Sequence, residues 1–214
     1  MKADNHSPEY YGHVRSDVFH LLPADCRRVL EIGVGNGSTI DAVRKIRNVA
    51  FSAGVELSEK AGEIACAHVD EVVCGNIETM ELPPAWTDFD VILCLDVLEH
   101  LVDPWEVVAK LHTRLKKGGT IVASIPNISY FGVVFPLLFR GKWELKDAGV
   151  LDRTHLRFFV RNTIIELLTS SGLKLVAIEG GGMTAGSKRW WANRLSAGLF
   201  ERFLASQYLI AVKD

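Results

Sequence analysis

The chain has 214 residues, 48% of them hydrophobic, with a formal net charge of −2. That length and apolar content suffice for one ordinary core, 1–214, and exclude a disordered chain. The lack of excess Lys and Arg excludes general nucleic-acid affinity, which depends on displacing counterions from phosphates.

The start carries Asp4, Asn5 and His6 where a signal peptide would be apolar, and no run approaches the roughly 18 apolar residues of a membrane span. A cytoplasmic location is expected. The cysteines Cys26, Cys66, Cys74 and Cys94 form no C-x-x-C pair. They read as buried thiols in a reducing compartment.

Ser7-Pro8-Glu9 opens a helix, with Tyr10, Val14, Val18 and Leu21 at helical spacing and Pro23 ending it. Residues 1–26 thus form an N-terminal helix able to act as a lid. Arg28 to Ile32 is too short for a helix and too apolar for a surface strand, so it reads as a buried parallel strand. Gly33, Gly35 and Gly37 follow at alternate positions, before a helix from about Thr39 to Arg47. Backbone without Cβ lets a ligand approach main-chain N–H groups at the positive end of a helix, so the loop suits a nucleoside cofactor or, failing that, closes an ordinary βα unit. Its spacing departs from the dinucleotide fingerprint, because Ser38 stands where the third glycine belongs.

Further strand-like runs occur at Ala50 to Leu57, Glu71 to Asn76, Phe89 to Asp96 and Thr120 to Pro126. Ser58 caps one intervening helix. Asp103-Pro104 opens another, with Trp105, Val108, Leu111 and Leu115 as its stripe and Gly118-Gly119 as its stop. This alternation calls for a Rossmann-like, seven-stranded, mostly parallel sheet with helices on both faces. The alternation pauses through 127–161, an insertion of a size that is usually functional. It resumes with a helix from Thr163 to Ser170, a strand from Lys174 to Glu179 and an antiparallel last strand over Tyr208 to Val212.

Ligands of such sheets sit at the strand carboxyl ends. Glu56 ends the second strand about 20 residues past the loop, where an acid grips ribose hydroxyls; Leu57 follows it. After the third strand, Asn76, Ile77 and Glu78 offer an amide for an adenine edge and an apolar wall. After the fourth comes Asp96-Val97-Leu98-Glu99-His100-Leu101-Val102-Asp103-Pro104.

On these residues the chain resembles the class I S-adenosylmethionine-dependent methyltransferases, in the subgroup with a D-x-L-E-H-L-x-D-P segment. The resemblance covers nearly the whole chain. It implies S-adenosyl-L-methionine as cofactor and S-adenosyl-L-homocysteine as product. By the resemblance Glu31, Gly33, Gly35 and Gly37 contact the methionine end, Glu56 the ribose, and Asn76 and Ile77 the adenine, with Asp96 near the donor. Val34 stands where many relatives have Cys, and Asn76 where many have Asp; Asn can still accept through Oδ1. The segments Gly141-Lys142-Trp143 and Gly149 to Phe159 resemble methyltransferases associated with polysaccharide and lipopolysaccharide glycosyltransferases. That association implies a small-molecule, sugar or glycolipid hydroxyl as acceptor, made an O-methylation site.

Methyl transfer needs alignment, exclusion of water and often proton removal. His100 and His155 are the candidate catalytic bases, the structural alternatives being a helix-start hydrogen bond and a loop anchor. Asp96, Glu99 and His100 also have the spacing of the E-x-x-E-H metal motif of small-RNA 2′-O-methyltransferases and some ubiquinone-pathway O-methyltransferases, with the shorter Asp in place of the first Glu, and His155, Phe158, Phe159 and Arg161 echo a downstream element of the RNA enzymes. A divalent metal would orient and acidify a hydroxyl on a quinone-type or nucleotide acceptor. Tyr11 and Arg15 are expected near the methionine end. Between Arg140 and Arg161 cations exceed acids by three, which suits an anionic acceptor or a solvated face. The apolar stretches 130–139 and 190–204 fit an acceptor pocket, a dimer face or peripheral membrane contact. Outside catalysis, the same fold would serve as an inactive donor-binding regulatory module.

Overall fold

The structure, a computed structural model, describes residues 12–183 and 185–214. Seven strands form one sheet: β1 Arg28–Ile32, β2 Phe51–Glu56, β3 Glu71–Cys74, β4 Phe89–Leu95, β5 Leu115–Pro126, β6 Lys174–Gly181 and β7 Gln207–Lys213. Their order is β3-β2-β1-β4-β5-β7-β6, with β7 antiparallel to both neighbours and the pairs from β3 through β5 parallel. The helices are α1 Ser38–Ile46, α2 Glu59–Ala65, α3 Pro104–His112, α4 Phe131–Arg140, α5 Arg161–Thr169, α6 Lys188–Leu195 and α7 Glu201–Leu204. This is the Rossmann-like arrangement expected, with its antiparallel last strand.

The alternation of strand side chains divides the core in two. Ile92 and Cys94 join Leu30, Ile32 and Ile121 on the face covered by Val107, Val108 and Leu111 of α3 and Ile164, Leu167 and Leu168 of α5. Val91, Leu93 and Leu95 pack on the opposite face with Val29, Val18, Leu22 and Val43. A strand buried on both faces cannot alternate apolar with polar, which is why β4 reads as a continuous apolar run.

Local chemistry sets the helix starts. The Ser58 hydroxyl accepts from the Ala61 amide and the Asp103 carboxylate from the Glu106 amide, satisfying N–H groups that a first turn leaves unpaired. Asp90 is buried and its Oδ2 accepts from the amides of Arg27 and Arg28, both at 2.8 Å, while Lys116 pairs with Oδ1. One carboxylate therefore ties the entry of β1 to the start of β4 and the β5 bulge.

Several expectations are corrected. Tyr10 and Tyr11 lie outside the described residues; within them the N-terminal helix is only a 3₁₀ segment, Ser16–Leu21, and Val14 is exposed. Helix α3 ends at His112, and Leu115 belongs to β5 because it pairs with Phe89 while residues 116 to 119 form a bulge through Gly118 at φ +76°. Cys66 and Cys74 are exposed, Cys66 as the residue that ends α2 and Cys74 as the last residue of β3, an edge strand. The insertion contains a helix, α4, despite Pro136. The aromatic stretch from Trp190 to Phe203 is two helices broken at Gly198, φ +81°.

Candidate active site

A cavity of about 730 Å³ opens at the carboxyl ends of β1, β2 and β4. Arg15, Glu31, Gly33, Gly35, Glu56, Leu57, Asn76, Ile77, Glu78, Asp96 and His100 all line it. The volume falls within the range usual for small-molecule sites.

The glycine loop shapes this wall rather than offering donors. The amides of Gly33 and Val34 both donate to the Val55 carbonyl, that of Gly35 to Glu56 Oε2, and that of Gly37 to the Val34 carbonyl. Asn36 Oδ1 caps the Ser38 amide. Four of the five amides from Gly33 to Gly37, all but that of Asn36, are thus taken up inside the protein. Gly33 has φ +72°, and a Cβ there would meet Val97 Cγ2 at 2.6 Å, so only glycine lets the loop close. Gly37 does not line the cavity. Its φ is +84° and it packs on His68 and Val69, beyond α2.

Glu31 is the electrostatic centre of the wall. It is buried, its Oε2 lacks a hydrogen-bond partner among the described residues, and burial followed by repulsion from Glu56 holds its carboxyl well above the usual carboxylate value. Such a group is costly unless a cation or a donor reaches it. A loop with most of its amides spent and an unpartnered carboxylate beside it fits a cationic ligand end better than a pyrophosphate. The ammonium of a methionine moiety is such an end.

Glu56 is held from below: its oxygens accept from the amides of Gly35, Leu57 and Ser58 at 2.8 to 3.0 Å. Each carboxylate oxygen keeps lone-pair capacity toward ribose hydroxyls. Asn76 Oδ1 accepts from the Glu78 amide at 2.9 Å, so its amide nitrogen is the freer end. Glu78 in turn accepts from the Asp103 amide and secures the start of α3. Arg15 reaches across from the N-terminal segment, pairing with Asp96 and Asp17 and donating to Ser124 Oγ at 3.0 Å. Asp96 sits in the left-handed region at φ +55°, a conformation Asp tolerates better than most residues.

His100 ends a 3₁₀ turn, Leu98–His100, directly after β4. Its Nδ1 lies 3.3 Å from the Thr154 carbonyl and 3.2 Å from the Thr154 hydroxyl. A carbonyl accepts only, so Nδ1 carries the proton and Nε2 keeps its lone pair. The Thr154 hydroxyl donates to Asp152 Oδ1 at 2.6 Å. Burial, then repulsion from His155, lowers the His100 pKa, which keeps the ring neutral near neutral pH. His155 does not line the cavity. Its Nδ1 donates to the Val150 carbonyl, its ring meets His100 edge-on at 4.8 Å, and its Nε2 stands 3.9 Å from Glu99 Oε1.

Glu99 is the second orphan. Both carboxylate oxygens are buried without a hydrogen-bond partner among the described residues, and burial followed by Asp96 raises its carboxyl well above the usual value. Ligand atoms of Glu99, His100 and His155 lie within 4.8 Å of one another. Asp96 stands apart from this set, its carboxylate taken by Arg15 and Ser124. The sequence reading passed over Asp152, although D-x-T is the spacing of a side-chain-capped turn. It also missed Thr39, in the first turn of α1 beside the glycine loop, and His13, Thr154 and Leu156 on the wall, the last three because their proximity depends on how the insertion and the N-terminal segment fold back.

Comparison with known proteins gives the same picture. Residues 6–178 match the family described as Methyltransferase domain. The chain belongs to this family. Methyltransferases of this class use S-adenosylmethionine, and the wall around Glu31 and Glu56 suits that donor. The fold is that of the S-adenosylmethionine-dependent methyltransferases from Mesorhizobium loti, with a TM-score of 0.66 at 16% identity over 98% of this chain and 99% of that one, and from Archaeoglobus fulgidus, also 0.66, at 21% identity over 97% and 95%. Among curated proteins, the ubiquinone biosynthesis O-methyltransferases of Paracidovorax citrulli and Albidiferax ferrireducens are 33% and 28% identical over 72% of this chain. The methyltransferase spans 69% and 66% of their lengths, about two thirds.

Proposed function

We propose that this methyltransferase transfers the methyl group to a hydroxyl of a small molecule, a sugar or glycolipid hydroxyl being the narrower form of that acceptor, with His100 as the base. The carrying observation is His100 on the wall of the donor cavity, neutral, with its proton fixed on Nδ1 by the Thr154 carbonyl. The O-methyltransferase names of the curated relatives support oxygen as the acceptor atom.

The donor, when bound, supplies an electrophilic methyl group on a sulfonium sulfur. Glu31 holds the ammonium of the methionine end, Glu56 the ribose, and Ile77 packs against the base. His100 Nε2 accepts the hydroxyl proton as the acceptor oxygen attacks. The test is S-adenosylhomocysteine production from a panel of phenols, sugars and glycolipids. His100→Ala is expected to lower kcat by about 10² to 10⁴ with an unchanged donor Kd; unchanged turnover in that variant would reject His100 as the base.

A second reading rests on Glu99. An orphaned buried carboxylate beside two imidazoles fits a divalent cation, which would orient and acidify the acceptor hydroxyl. Titration of Mg²⁺, Mn²⁺ and Zn²⁺ into the protein and into Glu99→Gln separates the readings. Binding lost in the variant supports the cation, and no binding together with activity untouched by chelation removes it.

A further inference from the structure

Two helices outside the cavity carry an apolar face with nothing packed over it among the described residues. On α4, Phe135, Leu138 and Phe139 are 56%, 70% and 70% exposed, and on α6 and the turn after it Leu195 and Leu199 are 83% and 73% exposed. Trp143 and Trp191 are also exposed. The helices adjoin at their N-terminal ends: Arg189 in the first turn of α6 donates to the hydroxyl of Tyr130, the residue capping α4, and its guanidinium stacks over that ring.

Charge indicates what covers the face. Residues 131–143 and 185–200 contain Arg140, Lys142, Lys188, Arg189 and Arg194 and no Asp or Glu, in a chain of net charge −2. Arg189 is spent on Tyr130 and nearby carbonyls, and Lys142 shares its ammonium with Glu144. The side chains of Arg140, Lys188 and Arg194 make no hydrogen bond or ion pair with the described residues, and the Arg194 guanidinium stacks over the Trp190 ring. A second copy docking the same face symmetrically would set these cations against themselves. A nucleic acid would leave the aliphatic side chains unburied. Exposed Leu and Phe, flanking tryptophans and cations without acids match the surface of a bilayer containing anionic lipid, where apolar side chains enter the acyl boundary and cations meet headgroups. No helix among the described residues is long and apolar enough to cross a membrane.

We propose that α4 and α6 form a peripheral docking surface for anionic lipid bilayers. The surface lies beside the site, since α4 starts shortly after the carboxyl end of β5, next to Asp96 of the cavity wall. A membrane-borne acceptor would thus be met where it resides.

The experiment is flotation with phosphatidylcholine vesicles, with and without phosphatidylglycerol, for the wild-type protein and two variants. One is Leu138→Glu with Phe139→Glu; the other is Arg140→Glu with Lys188→Glu. Circular dichroism and donor affinity verify that each variant is folded. The wild type is expected to float with the anionic vesicles at least about tenfold more strongly than with neutral ones, and each variant to lose about tenfold or more of that binding. Absence of wild-type flotation with anionic vesicles overturns the proposal, as does flotation unaffected by both variants. A dimer in sedimentation that Leu138→Glu with Phe139→Glu dissociates, without flotation, assigns the face to a second copy and also overturns it. None of these outcomes depends on methyl transfer.

Discussion

Glu31 and Asp152 carry opposite electrostatic loads. Glu31 has a folded pKa raised above its unfolded value, so the stability it contributes is present at low pH and lost as pH rises past the ordinary carboxylate range. At neutral pH it strains the free protein and waits for a cation. Glu31→Gln is therefore expected to raise Tm by a few degrees, at about 2–4 °C per kcal/mol for a chain of this size, while weakening donor binding about tenfold or more; calorimetry of folding and of binding reads both, and an unchanged donor Kd would count against its role. At Asp152 burial pushes the carboxyl up, but the Thr154 hydroxyl and amide outweigh it and keep the group ionised below its usual value. Its charge raises the His100 pKa. As a positioning residue, Asp152→Ala is expected to lower kcat about tenfold and to move the acidic limb of the pH profile to lower pH. Asp152→Asn should recover much of kcat, keeping the hydrogen bond to Thr154, without restoring the limb. A merely structural role would move no limb.

At the scale of elements, the central strands were legible because burial on both faces demands apolar runs, and the caps Ser58 and Asp103 were legible because their chemistry is local. The end of α3 was not. Leu115 continues the helical stripe in sequence, yet pairing with Phe89 across a bulge outweighs that local preference. The insertion hid α4, since Pro136 and the neighbouring glycines argue against a helix until the chain is seen to seat Val133 against the domain. Asp90 is the strongest element-scale tie away from the cavity. Asp90→Ala leaves two β1 entry amides and Lys116 without their partner and is expected to cost about 2–4 kcal/mol, read as a lower urea midpoint. Because Asp90 lies at the opposite end of β4 from the cavity, kcat/KM of the folded fraction should hold.

For the whole molecule, donor binding and folding are linked. Donor at 100 times its Kd is expected to stabilise by about 2.7 kcal/mol, a Tm rise of roughly 5–11 °C. The rise should be larger near about pH 7 than near about pH 5, because Glu31 must give up its proton to pair with an ammonium; a pH-independent rise would reject that pairing. His100 and His155 act in the other direction. Burial lowers both, so the unfolded chain takes up their protons first and stability falls as pH drops below about 6.5. A thermal-shift series from mildly acidic to neutral pH, with His100→Ala and His155→Ala, checks the sign.

The amino-acid sequence by itself determined the alternation of strands and helices, the place of Glu56 at the end of the second strand and that of His100 after the fourth. Each follows from local periodicity or from the rule that parallel strands present ligands at their carboxyl ends, whereas Glu31 was singled out by the family resemblance. Only the tertiary structure decided that most loop amides are spent internally, that Arg15 takes the Asp96 carboxylate away from Glu99, and that Thr154, 54 residues downstream and bonded to Asp152, holds His100. Such contacts depend on how the insertion closes over the sheet, a long-range packing outcome that no local pattern encodes.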